Sequence, residues 1–208
     1  MERPYHHGDL ASQLVSAALK ALDTSGPEAV SLRELAAELG VSRAAPYRHF
    51  VDRDALLAAV AVRGFEDLNV EYERAARAPG GAMDKLRELS RAFFNFARQR
   101  PGLFKLMFES EFLTRDLPPV VLIGPADRAY RLLWEAVAAA YPQADEREVK
   151  ARTIAMWSTS YGFLSLAGSR RIREFMVRPL SDEDLETAVI EAAIRGPGLS
   201  IAPAGGPE

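Results

Sequence analysis

The sequence contains no cysteine and only three histidines among its 208 residues. The absence of cysteine excludes disulfide bonds, a thiolate nucleophile and a zinc site with thiolate ligands. Long apolar runs are also missing: the longest, ALLAAVAV at 55–62, is far shorter than the roughly 18 residues that a membrane-spanning helix needs. The first residues, MERPYHHGDL, lack an apolar signal region, and we therefore expect a cytoplasmic protein with no membrane partner.

The chain has no excess of positive charge. Its net charge at pH 7 is −3, and residues 1–50 carry five Lys or Arg against six Asp or Glu. Hydrophobic and charged fractions of 48% and 26% are ordinary for a globular protein of one or two domains. Any binding to nucleic acid must therefore depend on the local arrangement of side chains.

Helix start and stop signals recur from the beginning of the chain. Asp9 is a suitable cap for a first helix, and Gly26 with Pro27 predicts its end. The apolar residues that share one face of this helix are Leu10, Leu14, Ala18 and Leu22.

A second helix is predicted by SLRE at 31–34. The hydroxyl of Ser31 and the carboxylate of Glu34 can each accept a hydrogen bond from an unpaired amide, which is the pattern of a capping box. Gly40 then predicts a left-handed end for this helix.

Two more helices follow the glycine. A short third helix is predicted from Ser42 through Phe50, and a long fourth helix opens at Asp52. Pro46 lies in the first turn of the third helix, where few backbone amides are paired, so its cost to the helix is reduced. Residues 31–50 therefore have the form of a helix-turn-helix.

The helical period continues beyond the break APGGA at 78–82. Prolines in TRDLPPVVLIGP, 114–125, predict an interruption, and the next helix is predicted to begin at Pro125. Two later helices open with capping pairs. They are predicted from Asp145, paired with Glu148, to near Gly168, and from Ser181, paired with Asp184, to Gly196.

The predicted fold is all-α, because no segment shows the alternation of a strand. We divide it into a helix-turn-helix domain, residues 1–50, a larger helical domain, residues 51–196, and a disordered tail, residues 197–208.

The first turn of the third helix is the part that would reach furthest into a DNA major groove. Arg43 can donate two hydrogen bonds to a guanine, while Ala44 and Ala45 leave room for close approach or for a thymine methyl group. Three adjacent hydrogen-bonding side chains come next, which favours a DNA-facing surface over an ordinary solvated one. They are Tyr47, Arg48 and His49.

Three stretches of the chain resemble the DNA-binding domain of TetR-type (TetR/AcrR family) transcriptional regulators. They are YHHGDL at 5–10, SLRELAAELGVSRAAPYRHF at 31–50 and DALLAAVAVRGF at 54–65. The resemblance implies a three-helix DNA-binding domain that extends to about residue 68, followed by a larger helical domain for ligand binding and dimerisation.

The resemblance also implies roles for individual residues. It places Tyr47, His49 and Arg53 against DNA phosphates, with Arg53 at the start of the fourth helix, where the helix dipole adds positive potential. The full set that we predict to bind DNA is Ser31, Ser42, Arg43, Ala44, Ala45, Tyr47, Arg48, His49 and Arg53.

Two further stretches, RPGLFKLMF at 100–108 and MWSTSYGFLSL at 156–166, resemble one subgroup of this family. Its ligand domain is marked by a tryptophan and a later histidine–glycine pair (the WHG type). Trp157 and Gly162 keep the pattern, whereas Tyr161 stands in the place of the histidine.

Aromatic residues lie on several helical segments of the second domain, where they either form a solid core or line a ligand pocket. The scarcity of charged residues between 153 and 169 argues against a highly charged ligand. We predict a small, mostly apolar or aromatic effector. Its predicted contacts are Phe93, Phe104, Phe108, Trp134, Trp157 and Tyr161.

The predicted function is transcriptional repression by a homodimer that a ligand releases from a near-palindromic operator in double-stranded DNA. The segment IAMWSTSYGFLSLAG at 154–168 is apolar or small nearly all round, which predicts pairing through the last two helices. Alanines that would let a neighbouring helix approach are Ala188, Ala192 and Ala193.

Two other classes of protein fit the sequence less well. A helical binding module could keep this scaffold without binding DNA. An enzyme would need catalytic groups, and the sequence has no nucleophile elbow, phosphate-binding glycine loop or metalloprotease motif. We expect no cofactor and no metal, because His6 and His7 have no carboxylate beside them at the spacing of helical metal ligands.

Overall fold

The computed structural model describes residues 10–110 and 120–196, and these are helical with no strand among them. The all-α prediction is therefore confirmed. The predicted cap Asp9 and the predicted disordered tail lie outside the described residues. The α-helices are α1 (Leu10–Ser25), α2 (Leu32–Glu38), α3 (Arg53–Ala76), α4 (Ala82–Gln99), α5 (Pro101–Glu109), α6 (Val120–Ala140), α7 (Glu146–Gly168), α8 (Glu174–Val177) and α9 (Asp182–Arg195). Short 3-10 helices lie at Pro27–Ala29 and Pro46–Arg48.

Several helix ends follow from local chemistry. Helix α1 ends just before Gly26, which has a φ of 81°. At the start of α7 the Asp145 side chain accepts a hydrogen bond from the Glu148 amide at 2.8 Å. At the start of α9 Ser181 and Asp184 each accept a hydrogen bond from the other residue's amide. The helix end at Gly26 and the capping pair of α9 are confirmed, whereas at α7 only the Asp145 half of the predicted pair is formed.

The predicted capping box of α2 is wrong. Ser31 does precede the helix, but its side chain makes no capping hydrogen bond. The residue before Ser31 is held by a different contact, because the Val30 carbonyl accepts a hydrogen bond from Arg53 at 2.9 Å.

The predicted helix start at Pro125 is also wrong, because α6 begins at Val120 and Pro125 lies inside it. A proline removes the bond to the carbonyl four residues earlier, here that of Val121, and its ring crowds that carbonyl. Val121 is exposed, so solvent can take the place of that bond. The carbonyl of Pro125 itself accepts a hydrogen bond from Asn69 at 3.0 Å.

The described residues form two compact units. The first contains residues 10–69, 96–110 and 120–129. Within it α5 packs closely on α1: a Cβ placed on Gly102 would lie only 2.5 Å from the Leu22 carbonyl oxygen. Beside this contact Arg100 donates to Asp23 at 2.8 Å. The fully buried residues around these helices include Leu14, Leu22, Leu56, Leu57, Leu103 and Leu106.

The second unit contains residues 70–95 and 130–196. Helices α7 and α9 pack against each other, and the end of α9 is tied to α6 because Tyr141 donates to the Ile194 carbonyl at 2.5 Å. The guanidinium of Arg152 lies 4.2 Å above the Tyr141 ring. Helices α4 and α9 are joined by an ion pair of 2.7 Å between Arg87 and Glu191, and this hydrogen bond lowers the pKa of the Glu191 carboxyl.

The two packed units do not coincide with the two functional domains predicted from the sequence. Part of the predicted second domain, including all of α5, packs with the helix-turn-helix residues. The functional boundary at residue 50 stays a prediction, because contacts group helices by packing and not by what they bind. None of the helices in the described ranges combines the length and apolarity needed to cross a bilayer.

We expect Gly102→Ala to destabilise the first unit. The added methyl group meets a backbone carbonyl, which cannot rotate away, and overpacking of this kind costs about 1 to 3 kcal/mol. The gain in helix propensity of roughly 1 kcal/mol offsets only part of that loss. Urea unfolding followed by circular dichroism measures the change. Lys105→Ala, at an exposed position of the same helix, is the control; a Gly102→Ala variant as stable as this control would contradict the close contact.

Candidate nucleic-acid interface

The turn after α2 has a defined backbone geometry. Gly40 has a φ of 67°, in the left-handed region that glycine adopts without strain. The Gly40 amide donates to the Ala37 carbonyl at 3.2 Å, and the Val41 amide donates to the Ala36 carbonyl at 2.9 Å. These two bonds are those of a Schellman motif, which ends a helix and sets the direction of the next segment. The predicted role of Gly40 is therefore confirmed.

The segment that follows is not the continuous α-helix predicted from Ser42 through Phe50. It consists of tight turns, with a 3-10 helix over Pro46–Arg48. Since Pro46 has no N–H, it cannot donate to the Ser42 carbonyl, which accepts instead from the Ala45 amide at 2.9 Å. Pro46 therefore disrupts the helix more than we predicted from its position in the first turn.

This turn segment presents a polar side and an apolar side. Pro46 is buried and Phe50 is half-buried, as expected of residues that anchor the segment to the core. The predicted DNA-binding side chains lie on the opposite, exposed side, and Tyr47 is 54% exposed. The exposed members are Ser42, Arg43, Ala44, Tyr47, Arg48 and His49, while Ala45 is partly buried.

An open groove of about 430 Å³ borders this segment. It brings together three of the residues predicted to bind DNA, Ser31, Tyr47 and Arg53. It also contains two carboxylates, Glu28 and Asp52, which repel a phosphate. The remaining lining residues are Val30, Leu32 and Val51.

Arg53 is engaged with the backbone of its own unit. Its Nε donates to the Val30 carbonyl at 2.9 Å, and one terminal nitrogen donates to the Pro27 carbonyl. Its other terminal nitrogen lies 3.9 Å from Asp54. The side chain is nevertheless 42% exposed, so N–H groups remain for a phosphate. The phosphate contact of Arg53 that the family resemblance implies stays a prediction. Arg53 also has a structural role, because it binds the Pro27 and Val30 carbonyls.

This structural role could not have been read from the sequence. The partners of Arg53 are backbone carbonyls, which every residue has, so no side-chain pattern marks them. No pattern in the sequence indicates that Glu28 and Asp52 lie in one groove.

The predicted ligand contacts are divided between the two units. In the first unit Phe104 and Phe108 of α5 pack together with ring centroids 4.8 Å apart, and Phe65 of α3 meets Phe108 edge-on at 5.6 Å. Phe104 and Phe65 are buried, while Phe108 is partly buried. These side chains form one aromatic cluster between α3 and α5.

In the second unit the other four predicted contacts differ in exposure. Phe93 is buried, Trp134 and Tyr161 are partly buried, and Trp157 is 39% exposed. The indole N–H of Trp134 is buried without a hydrogen bond to any described residue. The aromatic pair that the sequence pattern missed is Phe94 with Phe163, whose rings stack at 5.7 Å.

No three carboxylate or imidazole side chains in the described part of the chain lie together as metal ligands would.

Comparison with known proteins agrees with this helical arrangement. Residues 14–60 match the family of bacterial regulatory proteins called the tetR family. Residues 86–192, about half of the chain, match the tetracyclin repressor-like C-terminal domain.

Individual relatives come from several bacteria. The chain is 30% identical over 102 residues to the helix-turn-helix-type transcriptional activator FasR of Mycolicibacterium smegmatis, and the alignment covers 49% of this chain and 47% of FasR. It is 27% identical over 140 residues to a helix-turn-helix-type transcriptional regulator of Mycobacterium bovis, over 66% of this chain and 60% of the relative. The chain therefore matches about half of the length of these relatives.

Solved structures match over more of the chain. A protein of unknown function from Rhodococcus superposes with a TM-score of 0.78 at 30% identity, over 93% of this chain and 98% of that one. The TetR family transcriptional regulator PfmR of Thermus thermophilus superposes with a TM-score of 0.63 at 23% identity, over 88% and 98% of the two chains, and supports the fold alone. From its matched domains, the chain belongs to the TetR family of DNA-binding transcriptional regulators.

Proposed function

We propose that this chain is a repressor in the cytoplasm that binds a near-palindromic DNA site as a homodimer and is released by a small, mostly apolar molecule. The observation that supports this most strongly is the polar side of the turn segment at 42–49, whose side chains are exposed while Pro46 beneath them is buried. FasR is named an activator. We propose repression because a regulator that occupies a promoter blocks transcription until its ligand releases it.

The side chains of the turn segment divide into two proposed roles. Arg43 lies two residues after the Schellman turn and is exposed, so it is the proposed reader of a base edge. Tyr47 and Arg53 line the groove with Ser31, and together with His49 they are proposed to donate to phosphates. Phosphate contacts fix the position of the protein on DNA, and base contacts select the sequence. Loss of a phosphate contact therefore weakens binding to all sequences, whereas loss of a base contact reduces the preference for one of them.

Exposed residues of α7 and α9 support the proposed homodimer. On α7, Met156 and Ser160 are buried in the chain, whereas Ile154, Trp157 and Leu166 are exposed. A helix with apolar residues on both its buried and its exposed sides favours a second packing partner. On α9 the predicted contact alanines Ala188 and Ala192 are exposed, but Ala193 is buried within its own chain.

The proposed homodimer requires a DNA site of defined symmetry and spacing. Two-fold pairing relates the two turn segments by symmetry, so the preferred site has two inverted halves. Reading segments that enter successive major grooves on one face of the duplex lie about 34 to 36 Å apart, or a multiple of that distance.

The proposed effector is mostly apolar with at least one hydrogen-bond acceptor. Aromatic side chains account for the apolar part, and binding pockets combine such walls with few polar groups. The buried indole N–H of Trp134 has no partner among the described residues, and a buried donor of this kind gains about 1 to 3 kcal/mol from an acceptor. The WHG subgroup assignment, with Tyr161 in place of histidine, stays a prediction.

In the first unit, two of the predicted ligand contacts lie on a helix that packs against α1, beside the predicted DNA-binding residues. A ligand that touches Phe104 or Phe108 acts directly on α5. Helix α5 is tied to α1 by the close approach of Gly102 and by the pair of Arg100 with Asp23. We propose that ligand binding favours a position of α5 that shifts α1 and weakens DNA binding. The free energy for this change is the ligand's tighter binding to the released state.

We expect Arg43→Ala and Tyr47→Phe to weaken DNA binding in different ways. Removal of a base contact at Arg43 costs about 1 to 3 kcal/mol on the preferred site and relaxes the preference at one base position. Removal of the Tyr47 hydroxyl weakens binding to preferred and scrambled sites alike. Competition binding on the two kinds of site separates the roles. Equal effects on both sites for Arg43→Ala would assign Arg43 to the DNA backbone.

We expect Arg53→Gln to lower the stability of the free protein. The variant cannot make the two hydrogen bonds to the Pro27 and Val30 carbonyls, and since the side chain is partly exposed the cost is about 1 kcal/mol. Thermal melting without DNA measures this change, and exposed Arg48→Gln is the control. An unchanged melting temperature would contradict the structural role.

The phosphate role of Arg53 has a separate test in the salt dependence of DNA binding. The slope of log affinity against log salt concentration becomes shallower by about 0.9 for each phosphate that the protein no longer neutralises. We expect this change in Arg53→Gln when affinity is measured across a salt series. A slope equal to that of the parent protein would leave Arg53 with the structural role alone.

We expect Tyr161→Phe to weaken release from DNA by an effector while DNA affinity and folding stay close to those of the parent protein. The change removes one hydroxyl and almost no volume. The effector comes from a thermal-shift screen of neutral aromatic and aliphatic compounds, and release is followed by fluorescence anisotropy of labelled DNA. Tyr130→Phe, on the exposed side of α6, is the control. An unchanged response in Tyr161→Phe would exclude a ligand contact by this hydroxyl.

A further inference from the structure

The segment between α7 and α9, residues 169–180, carries large apolar side chains on its surface. We call it the arm; it contains the short helix α8 and lies wholly in the second unit. Phe175, Met176 and Leu180 are 76%, 59% and 49% exposed. Three such residues within six positions form a patch, whereas single exposed apolar residues are common.

The arm is ordered although these side chains are not buried. At its beginning the Arg171 amide donates to the Leu166 carbonyl at 2.9 Å, and Arg170 adopts a left-handed φ of 54°. Further along, the Met176 amide donates to the Arg173 carbonyl at 2.9 Å. A backbone ordered by its own hydrogen bonds presents the apolar side chains in a defined position and lowers the entropic cost of docking.

The arm is also basic on an acidic chain. It contains four arginines and one glutamate, a net charge of +3, so the rest of the chain, whose total is −3, carries −6. Arg178 pairs with Glu174 within the arm. Arg170, Arg171 and Arg173 are exposed and make no ion pair with a described residue.

We propose that the arm docks on a second copy of this chain. An acidic copy is complementary to the basic arm in charge. The arm also connects α7 with α9, the two helices whose exposed faces are the proposed dimer contact, so it is continuous with that surface. The inference rests on the proposed homodimer and adds to it the residues that reach across to the partner.

Other occupants suit the arm less well. A membrane-surface helix needs an extended amphipathic face, and α8 has only four residues. DNA would satisfy the arginines but would leave the apolar side chains of Phe175 and Met176 in water. A protein surface buries the apolar side chains and pairs the charges together.

A single cysteine provides the test, because the chain has none of its own. Met176→Cys, labelled with a benzophenone maleimide, is assembled from a mixture of isotopically heavy and light chains and then irradiated. Val121→Cys, which is 61% exposed in the first unit, is the matched control. We expect cross-links that join heavy to light peptides for position 176 and none for position 121. Cross-links at 176 within one chain only, or to added DNA or anionic vesicles only, overturn the proposal.

A second variant measures the contribution to assembly. We expect Phe175→Ser to raise the dimer dissociation constant about tenfold or more, as truncation of a buried aromatic anchor does. Val121→Ser is the control, and sedimentation equilibrium is the measurement. A dimer that is unaffected by Phe175→Ser overturns the arm proposal and leaves the proposed homodimer standing. A parent chain that stays monomeric at all concentrations overturns both.

Discussion

The close packing of α5 on α1 is the constraint on which the first unit depends. The helix-turn-helix residues alone are few, and so small a domain buries too little apolar surface for high stability. Helix α5 adds Leu103, Phe104 and Leu106 to that core. Only glycine at position 102 lets its backbone lie against the Leu22 carbonyl. The unit that contains the predicted DNA-binding residues therefore includes a helix from far along the sequence, and any displacement of that helix acts on α1.

Much of the helical pattern could be predicted because its causes are local. The ends of helices at Gly26 and Gly40 follow from backbone conformations that glycine adopts without strain, and the start of α7 follows from one acceptor at Asp145. The place of Arg43 just after the turn predicts its exposure, and it is exposed. Such features involve residues within about one helical turn of each other, and the sequence displays them directly.

Features that depend on distant partners or on proline could not be predicted in the same way. Arg53 donates to carbonyls more than twenty positions earlier, and Ser31 precedes α2 without forming the expected cap. Pro46 breaks the expected reading helix into tight turns, whereas Pro125 is accommodated inside α6. The outcome for each proline depends on which carbonyl it frees and whether that carbonyl finds another donor.

In the proposed complex, two copies of the chain, paired through the second unit, present two turn segments to one inverted-repeat site. The most direct measurement selects DNA from a random pool with the purified protein and then weighs the complex by native mass spectrometry. We expect the selected fragments to share two inverted half-sites, and each duplex to carry two chains of 22.9 kDa. Selected sites without inverted symmetry, bound by a single chain, would contradict this arrangement.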